Sequence, residues 1–208
     1  MSATVTLTAG GEAIAVDAMS DALLVVDVQN DFARPGGSLY IAGAEAVVAP
    51  INALARGLPF RVRVATQDWH PPHHSSFAAH GGPWPPHCIA GTDGADCCAD
   101  LDTAPYDVIL RKGTRQDYDN YSVFTDASGR QTGLRGFLAE AGVRRVFVAG
   151  VATDVCVRAT VLDALAGGLA VVVVMDGCRA VDEVSNGPKS VAEMAEKGAV
   201  IARIADGA

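Results

Sequence analysis

A chain of 208 residues with a formal net charge of −8 is long enough to bury a sizeable core. It lacks the basic excess that a nucleic-acid or anionic-membrane partner would favour. Half of its residues are hydrophobic but only 6% are aromatic, so the core is mostly Val, Leu, Ile and Ala, a composition that suits buried parallel strands.

The five cysteines, with Cys97 and Cys98 adjacent, do not form a disulfide framework in a chain of this length. No basic leader precedes an apolar stretch, and no apolar run approaches the ~18 residues of a membrane span. A reducing, cytoplasmic location is the simplest expectation, and the composition leaves a homo-oligomer open.

In chain order, Val5–Leu7 and Ala13–Val16 alternate around Ala9-Gly10-Gly11 and predict a short leading hairpin. Leu23–Val28 reads as a buried strand. A helix is expected from about Ala46 to Gly57, with Pro50 tolerated in its first turn, and Val62–Thr66 as the next strand. From Gln67 to Asp102 the chain is rich in Pro, His and Gly with little periodicity, and an irregular segment of this length is usually functional.

The rhythm resumes with strand Val108–Arg111, helix Leu134–Ala141, strand Val146–Ala149 and a helix over about Val155–Leu165. Strand Ala170–Met175, helix Ser190–Lys197 and strand Val200–Ile204 complete it. Six strands alternating with helices predict a three-layer α/β/α domain with a mainly parallel sheet, spanning 21–208 behind an extension at 1–20. Ligands in such folds bind beyond the carboxyl ends of the strands.

Three strands run into reactive side chains. Asp27 closes the first apolar run, as either a desolvated acid/base or a strand-end cap, and Asp31 is the better capping candidate. Lys112 ends another strand, where a solvated lysine is the ordinary alternative. Cys156 follows Val148-Ala149-Gly150-Val151-Ala152-Thr153-Asp154-Val155, which places it in the first turn of a helix capped by Thr153 or Asp154. Helix-end amides lower a thiol's pKa and can hold an oxyanion, whereas an isolated buried cysteine is usually inert. Cys178 lacks this turn geometry and reads as structural; Cys88, Cys97 and Cys98 read as packing or loop residues.

The irregular segment holds all five histidines, between His70 and His87. Asp68 and His70, two residues apart on extended chain, face the same way. With His87 they offer two imidazoles and a carboxylate to one divalent ion such as Zn²⁺, Mn²⁺ or Fe²⁺, leaving positions open for catalysis or substrate. His74 is the candidate fourth ligand or supporting group; His73 and His80 read as solvated.

Taken in order, five blocks resemble the nicotinamidase/pyrazinamidase branch of the isochorismatase-like hydrolases. They are Asp27–Phe32, Asp68-Trp69-His70 through His74-Ser75-Ser76-Phe77, Trp84-Pro85-Pro86-His87-Cys88, Lys112-Gly113 with Tyr121-Ser122-Val123-Phe124, and Gly150–Cys156. The resemblance covers about Ala22 to Ile204. It implies a sheet of order 3-2-1-4-5-6, with Cys156 as nucleophile, Asp27 as base and Lys112 as their cationic partner. It further implies metal ligation by Asp68, His70 and His87, with Zn²⁺ first in preference, and a cis peptide joining Val151 to Ala152 with an oxyanion hole at the Ala152 and Cys156 amides. Phe32 and Trp84 would sandwich a pyridine ring, with Tyr121 beside them.

The implied activity is hydrolysis of nicotinamide, and of pyrazinamide, to the acid and ammonia through a thioester, a step of NAD salvage. An amidohydrolase of the same fold acting on a carbamoyl amide is the alternative. The leading 20 residues carry no such resemblance.

Overall fold

In the computed structural model, which describes residues 5–205, eight strands join in one sheet. They are β1 (Leu7–Ala9), β2 (Glu12–Ile14), β3 (Asp21–Val26), β4 (Val62–Asp68), β5 (Val108–Lys112), β6 (Arg145–Val151), β7 (Ala170–Arg179) and β8 (Val200–Ile204). Five helices accompany them: α1 (Asn30–Ala33), α2 (Val48–Gly57), α3 (Leu134–Glu140), α4 (Arg158–Ala166) and α5 (Asn186–Glu196). Residues 1–4 and 206–208, the outer ends of the expected extension and domain, lie outside the described residues.

The strand order is β2-β1-β8-β7-β6-β3-β4-β5. The six strands β3 to β8 are parallel throughout and follow the 3-2-1-4-5-6 order that the resemblance implies. The expected count of six becomes eight because the leading hairpin joins the sheet: β1 lies antiparallel to both β2 and β8, with Leu7 opposite Ile14 and Ile204. Gly10 and Gly11 connect its strands at φ 57° and 88°, the left-handed pair that a two-residue hairpin turn requires and that only glycine adopts at little cost.

Strand alternation divides the core between two faces. Leu23 and Val25 of β3, Phe147 and Ala149 of β6 and Val172 and Val174 of β7 pack with Ile51 and Leu54 of α2. Their neighbours Leu24, Val26, Val146, Val148, Val171 and Val173 pack with Leu138, Val161 and Met194 from α3, α4 and α5. Successive side chains of a strand point to opposite faces, so a strand covered on both sides reads as an unbroken apolar run. All six residues of β3 are buried. No helix of the described residues is long and apolar enough to cross a membrane.

The helix expected over Val155–Leu165 begins instead with a π-helical turn, Thr153–Val157, that leads into α4. Neither Thr153 nor Asp154 caps it. Asp154 accepts the amides of Val181 and Asp182 at 2.8 and 3.0 Å, fastening the loop after β7 to this turn.

Candidate active site

The carboxyl ends of β3, β4, β5 and β6 meet at one rim of the sheet. Asp27, one residue beyond β3, sits in the left-handed region at φ 53°, a conformation rare for a residue other than glycine and found disproportionately at functional sites. Its Oδ1 accepts from Thr66 Oγ1 at 2.6 Å, and its amide donates to the same hydroxyl at 3.2 Å. Its Oδ2 lies 2.8 Å from Lys112 Nζ but out of line for a hydrogen bond, so this buried oxygen has no aligned donor.

Lys112 is wholly buried at the end of β5. Its ammonium donates to Asp68 Oδ1 at 2.6 Å and to the Asn120 carbonyl at 2.8 Å, and stands 3.7 Å from Cys156 Sγ. Reactive atoms of Asp27, Asp68 and Cys156 lie within 4.8 Å of one another. The three candidates for the triad are thus together, with Asp68 as a fourth member.

Burial sets the proton inventory. It pushes the Asp27 carboxyl up, more than Lys112 pulls it down. It would lower Lys112, but Asp27 and Asp68 outweigh it and hold the ammonium charged. The Cys156 thiol is pushed up by burial, with Lys112 opposing and the two carboxylates adding to the rise. This corrects the expectation of a thiol made acidic by a helix end. Loss of water and two nearby carboxylates outweigh Lys112, so the thiol is less acidic than an ordinary cysteine. Burial likewise raises Cys98 and Cys178, to about 11 and about 12. All five cysteines are free.

Beside the triad, Asp68, His70 and His87 each offer one ligand atom, all within 4.8 Å of one another. His70 Nδ1 lies 2.9 Å from the Gly113 carbonyl, and His87 Nδ1 lies 2.8 Å from that of Pro85. A carbonyl only accepts, so each Nδ1 carries a hydrogen and each Nε2 is the nitrogen left for a metal; burial would lower the pKa of His70, but Asp68 outweighs that and raises it. Burial lowers the pKa of His87 and keeps its ring neutral. Two imidazoles and a carboxylate with positions left open suit a divalent ion. Asp68 serves both groups, giving Oδ1 to Lys112 and facing His70 with Oδ2 at 3.6 Å.

His74 stands apart from this ligand group. It stacks on His70 with ring centroids 4.1 Å apart. Its Nδ1 accepts from Ser76 N at 3.2 Å and its Nε2 donates to the Tyr118 carbonyl at 3.2 Å. Both nitrogens are occupied, so of the two anticipated roles the geometry fits the supporting one. His73 and His80 are exposed.

Phe32, Trp84 and Tyr121 line one cleft with Asp68, His87, Ala152 and Cys156. The empty space of this cleft, open mouth included, is about 490 Å³. Trp84 Nε1 donates to Tyr121 Oη at 3.1 Å, which fixes the indole plane. The Val151–Ala152 peptide is cis.

Several contributors escaped the sequence reading. Gln29 grips the main chain of Asp68 from both sides, donating to its carbonyl at 2.7 Å and accepting from its amide at 2.8 Å. Asp31, expected to cap, instead accepts the Cys88 amide at 2.7 Å and the Ser38 amide at 3.0 Å, tying α1 to the histidine-bearing segment. Asp119 lines the recess that holds Asp68, His70 and His87 and has a buried Oδ1 without a partner. Tyr40 and Val181 also line the cleft. The Asn-Asp run after Gln29 was a visible signal for the tie; nothing in the sequence pattern marks Asp119.

A family model described as the isochorismatase domain matches residues 21–206. A nicotinamidase of Acinetobacter baylyi is 43% identical over 178 residues, covering 77% of this chain and 82% of that protein. Among solved structures, PnC1 from L. infantum in complex with nicotinate superposes with a TM-score of 0.88 at 47% identity, covering 90% of this chain and 94% of that one. The pyrazinamidase of Pyrococcus horikoshii in complex with zinc gives 0.77 at 38%, covering 88% and 98%. Sheet order, rim chemistry and likeness over most of the chain agree: this protein belongs to the isochorismatase family of α/β hydrolases.

Proposed function

We propose that this chain is a nicotinamidase, hydrolysing nicotinamide, and pyrazinamide with it, to the carboxylic acid and ammonia. The observation that carries the reading is Asp68, whose two oxygens join a buried Asp27–Lys112–Cys156 group to a two-histidine metal site in one small aromatic cleft. The nicotinate complex and the amidase names of the relatives supply the substrate class.

Asp27 takes the Cys156 proton on Oδ2, the oxygen without an aligned donor. The sulfur attacks the carboxamide carbon, and the tetrahedral oxygen sits against the Ala152 and Cys156 amides; each such donor is worth ~10²–10³ in rate. Lys112 stays charged throughout and holds the Asp27 and Asp68 carboxylates in place. Protonated Asp27 gives its proton to the departing nitrogen, and water hydrolyses the thioester with Asp27 again as base. Phe32 and Trp84 hold the pyridine ring between them, and Tyr121 fixes Trp84. Asp68, His70 and His87 would hold a divalent ion, which would supply Lewis-acid chemistry beside the ring, with zinc first on the precedent of the P. horikoshii structure and manganese or iron compatible with the same donors.

Residues 21–208 are the hydrolase domain and 1–20 its extension. The five free cysteines suit the cytoplasm, where the reaction returns nicotinamide to NAD synthesis. The test is ammonia release from nicotinamide, pyrazinamide and carbamoyl amides, with and without added zinc, by the wild type and by Cys156→Ala. Zinc-stimulated nicotinamide turnover is expected, abolished in the variant while nicotinamide still binds. Turnover by Cys156→Ala overturns the nucleophile, and preference for carbamoyl amides overturns the substrate.

A further inference from the structure

We propose that Asn120 is a positioning residue that holds the lysine of the triad and the His70 metal ligand in a single register. The proposal rests on the roles assigned to those two residues above. Asn120 is buried in the irregular segment after β5, and its side chain binds only main chain. Oδ1 accepts the Gly113 amide at 3.2 Å, while Nδ2 donates to the carbonyls of Ser122 and Thr125 at 2.6 and 2.9 Å. A short side chain thereby closes a loop of main chain around itself, and the loop presents two carbonyls to the site.

The first is its own carbonyl, 2.8 Å from Lys112 Nζ. The other close partners of the ammonium are the Asp27 and Asp68 carboxylates and the Cys156 sulfur. Each of these changes charge or binds metal in the proposed reaction, and the Asn120 carbonyl does neither. Together with Asp68 Oδ1 it still fixes Nζ after Asp27 has taken the thiol proton and its pull on the lysine has weakened, and it is the uncharged one of the two. The second is the carbonyl of Gly113, whose amide Asn120 holds and which receives His70 Nδ1 at 2.9 Å. A hydrogen bond of that kind sets the tautomer and aim of a ligating imidazole. Gly113 is itself in the left-handed region at φ +64°, and a Cβ there would stand 2.4 Å from His70 Cε1, so the ring lies directly against this strand end. One carboxamide thus reaches the chemistry by two arms.

The experiment compares Asn120→Ala, the milder Asn120→Ser and a control core truncation in α2, Leu54→Ala, chosen to lower thermal stability without touching the rim. Three readouts are taken: zinc affinity by competition with a chelator, the rate at which iodoacetamide alkylates the Cys156 peptide at one fixed pH, and kcat and KM for nicotinamide. Loss of the Gly113 arm should weaken zinc binding about tenfold, the lower end for a group supporting a ligand, and raise KM. Loss of the lysine arm should slow alkylation several-fold and lower kcat, because the ammonium no longer stands fixed beside the sulfur. The control should leave zinc affinity and alkylation at wild-type values.

Zinc affinity and alkylation within about threefold of wild type in whichever Asn120 variant folds would overturn the proposal, as would equal losses in Leu54→Ala. Zinc competition and alkylation need no substrate, so a wild type that fails to deamidate nicotinamide refutes the function while leaving this test intact.

Discussion

Lys112→Met removes the cation between two buried carboxylates, with its Nζ 2.8 Å from Asp27 and 2.6 Å from Asp68. The side chains of Lys112 and Asp27 are both fully shielded from water. Breaking a buried ion pair from one side costs ~3–5 kcal/mol, a large part of the ~5–15 kcal/mol that stabilises a typical domain. The variant can relieve the strain by taking up a proton. Burial already pushes Asp27 up and Lys112 is the strongest influence opposing it, so without the lysine this carboxyl rises further above its unfolded value.

A native state that binds the extra proton gains stability as pH falls toward the unfolded pKa, by at most ~1.4 kcal/mol per pH unit for one group. The deficit relative to wild type should therefore be ~3–5 kcal/mol near pH 8 and smaller by about pH 6, by no more than ~2.8 kcal/mol over the two units. Urea unfolding in the presence of a chelator, at both pH values, measures it. A deficit that is the same at the two pH values, or below ~1 kcal/mol near pH 8, would refute the buried-carboxylate reasoning.

Gly113→Ala should weaken zinc binding by ~10–100-fold, because its methyl meets the His70 ring; chelator competition reads this, and unchanged affinity would contradict the packing. Asp31→Ala leaves the Cys88 and Ser38 amides without their acceptor and should cost ~1–3 kcal/mol in urea unfolding while raising KM more than it lowers kcat; a variant with wild-type stability and KM would show that α1 does not fasten the segment. Asp126 is held down to about 2, its burial outweighed by Ser128 and Arg115. Asp126→Asn should then lose ~1 kcal/mol near neutral pH, allowing for the partly exposed Arg115. Wild type surrenders that advantage as pH falls from about 4 through about 2. Parallel unfolding curves over that range would count against the pairing.

The sheet could be read from the sequence because β3, β6 and β7 are covered on both faces, and burial on both faces writes itself as an uninterrupted aliphatic run. The rim was readable for a related reason: Asp27, Lys112 and Cys156 each stand where such a run stops, and the histidines crowd into a segment without periodicity. What lay beyond the sequence depends on contacts between distant residues. The hairpin's pairing with β8 joins Leu7 to Ile204, a partnership no local pattern signals. Asn120 and Asp119 sit in irregular chain, where polar residues are ordinary, and acquire meaning only from what folds over them. The thiol's rise has the same origin, since a turn is visible in sequence and the two carboxylates facing it are not.

The leading hairpin carries a practical consequence. Leu7 and Thr8 cover the outer rim of β8, and an uncovered strand rim is a template for another chain. A protease clipping the chain between β2 and β3 would release that cover and leave the final strand adhesive, so clipped preparations should form dimers and larger aggregates while the catalytic rim, on β3 to β6, stays folded.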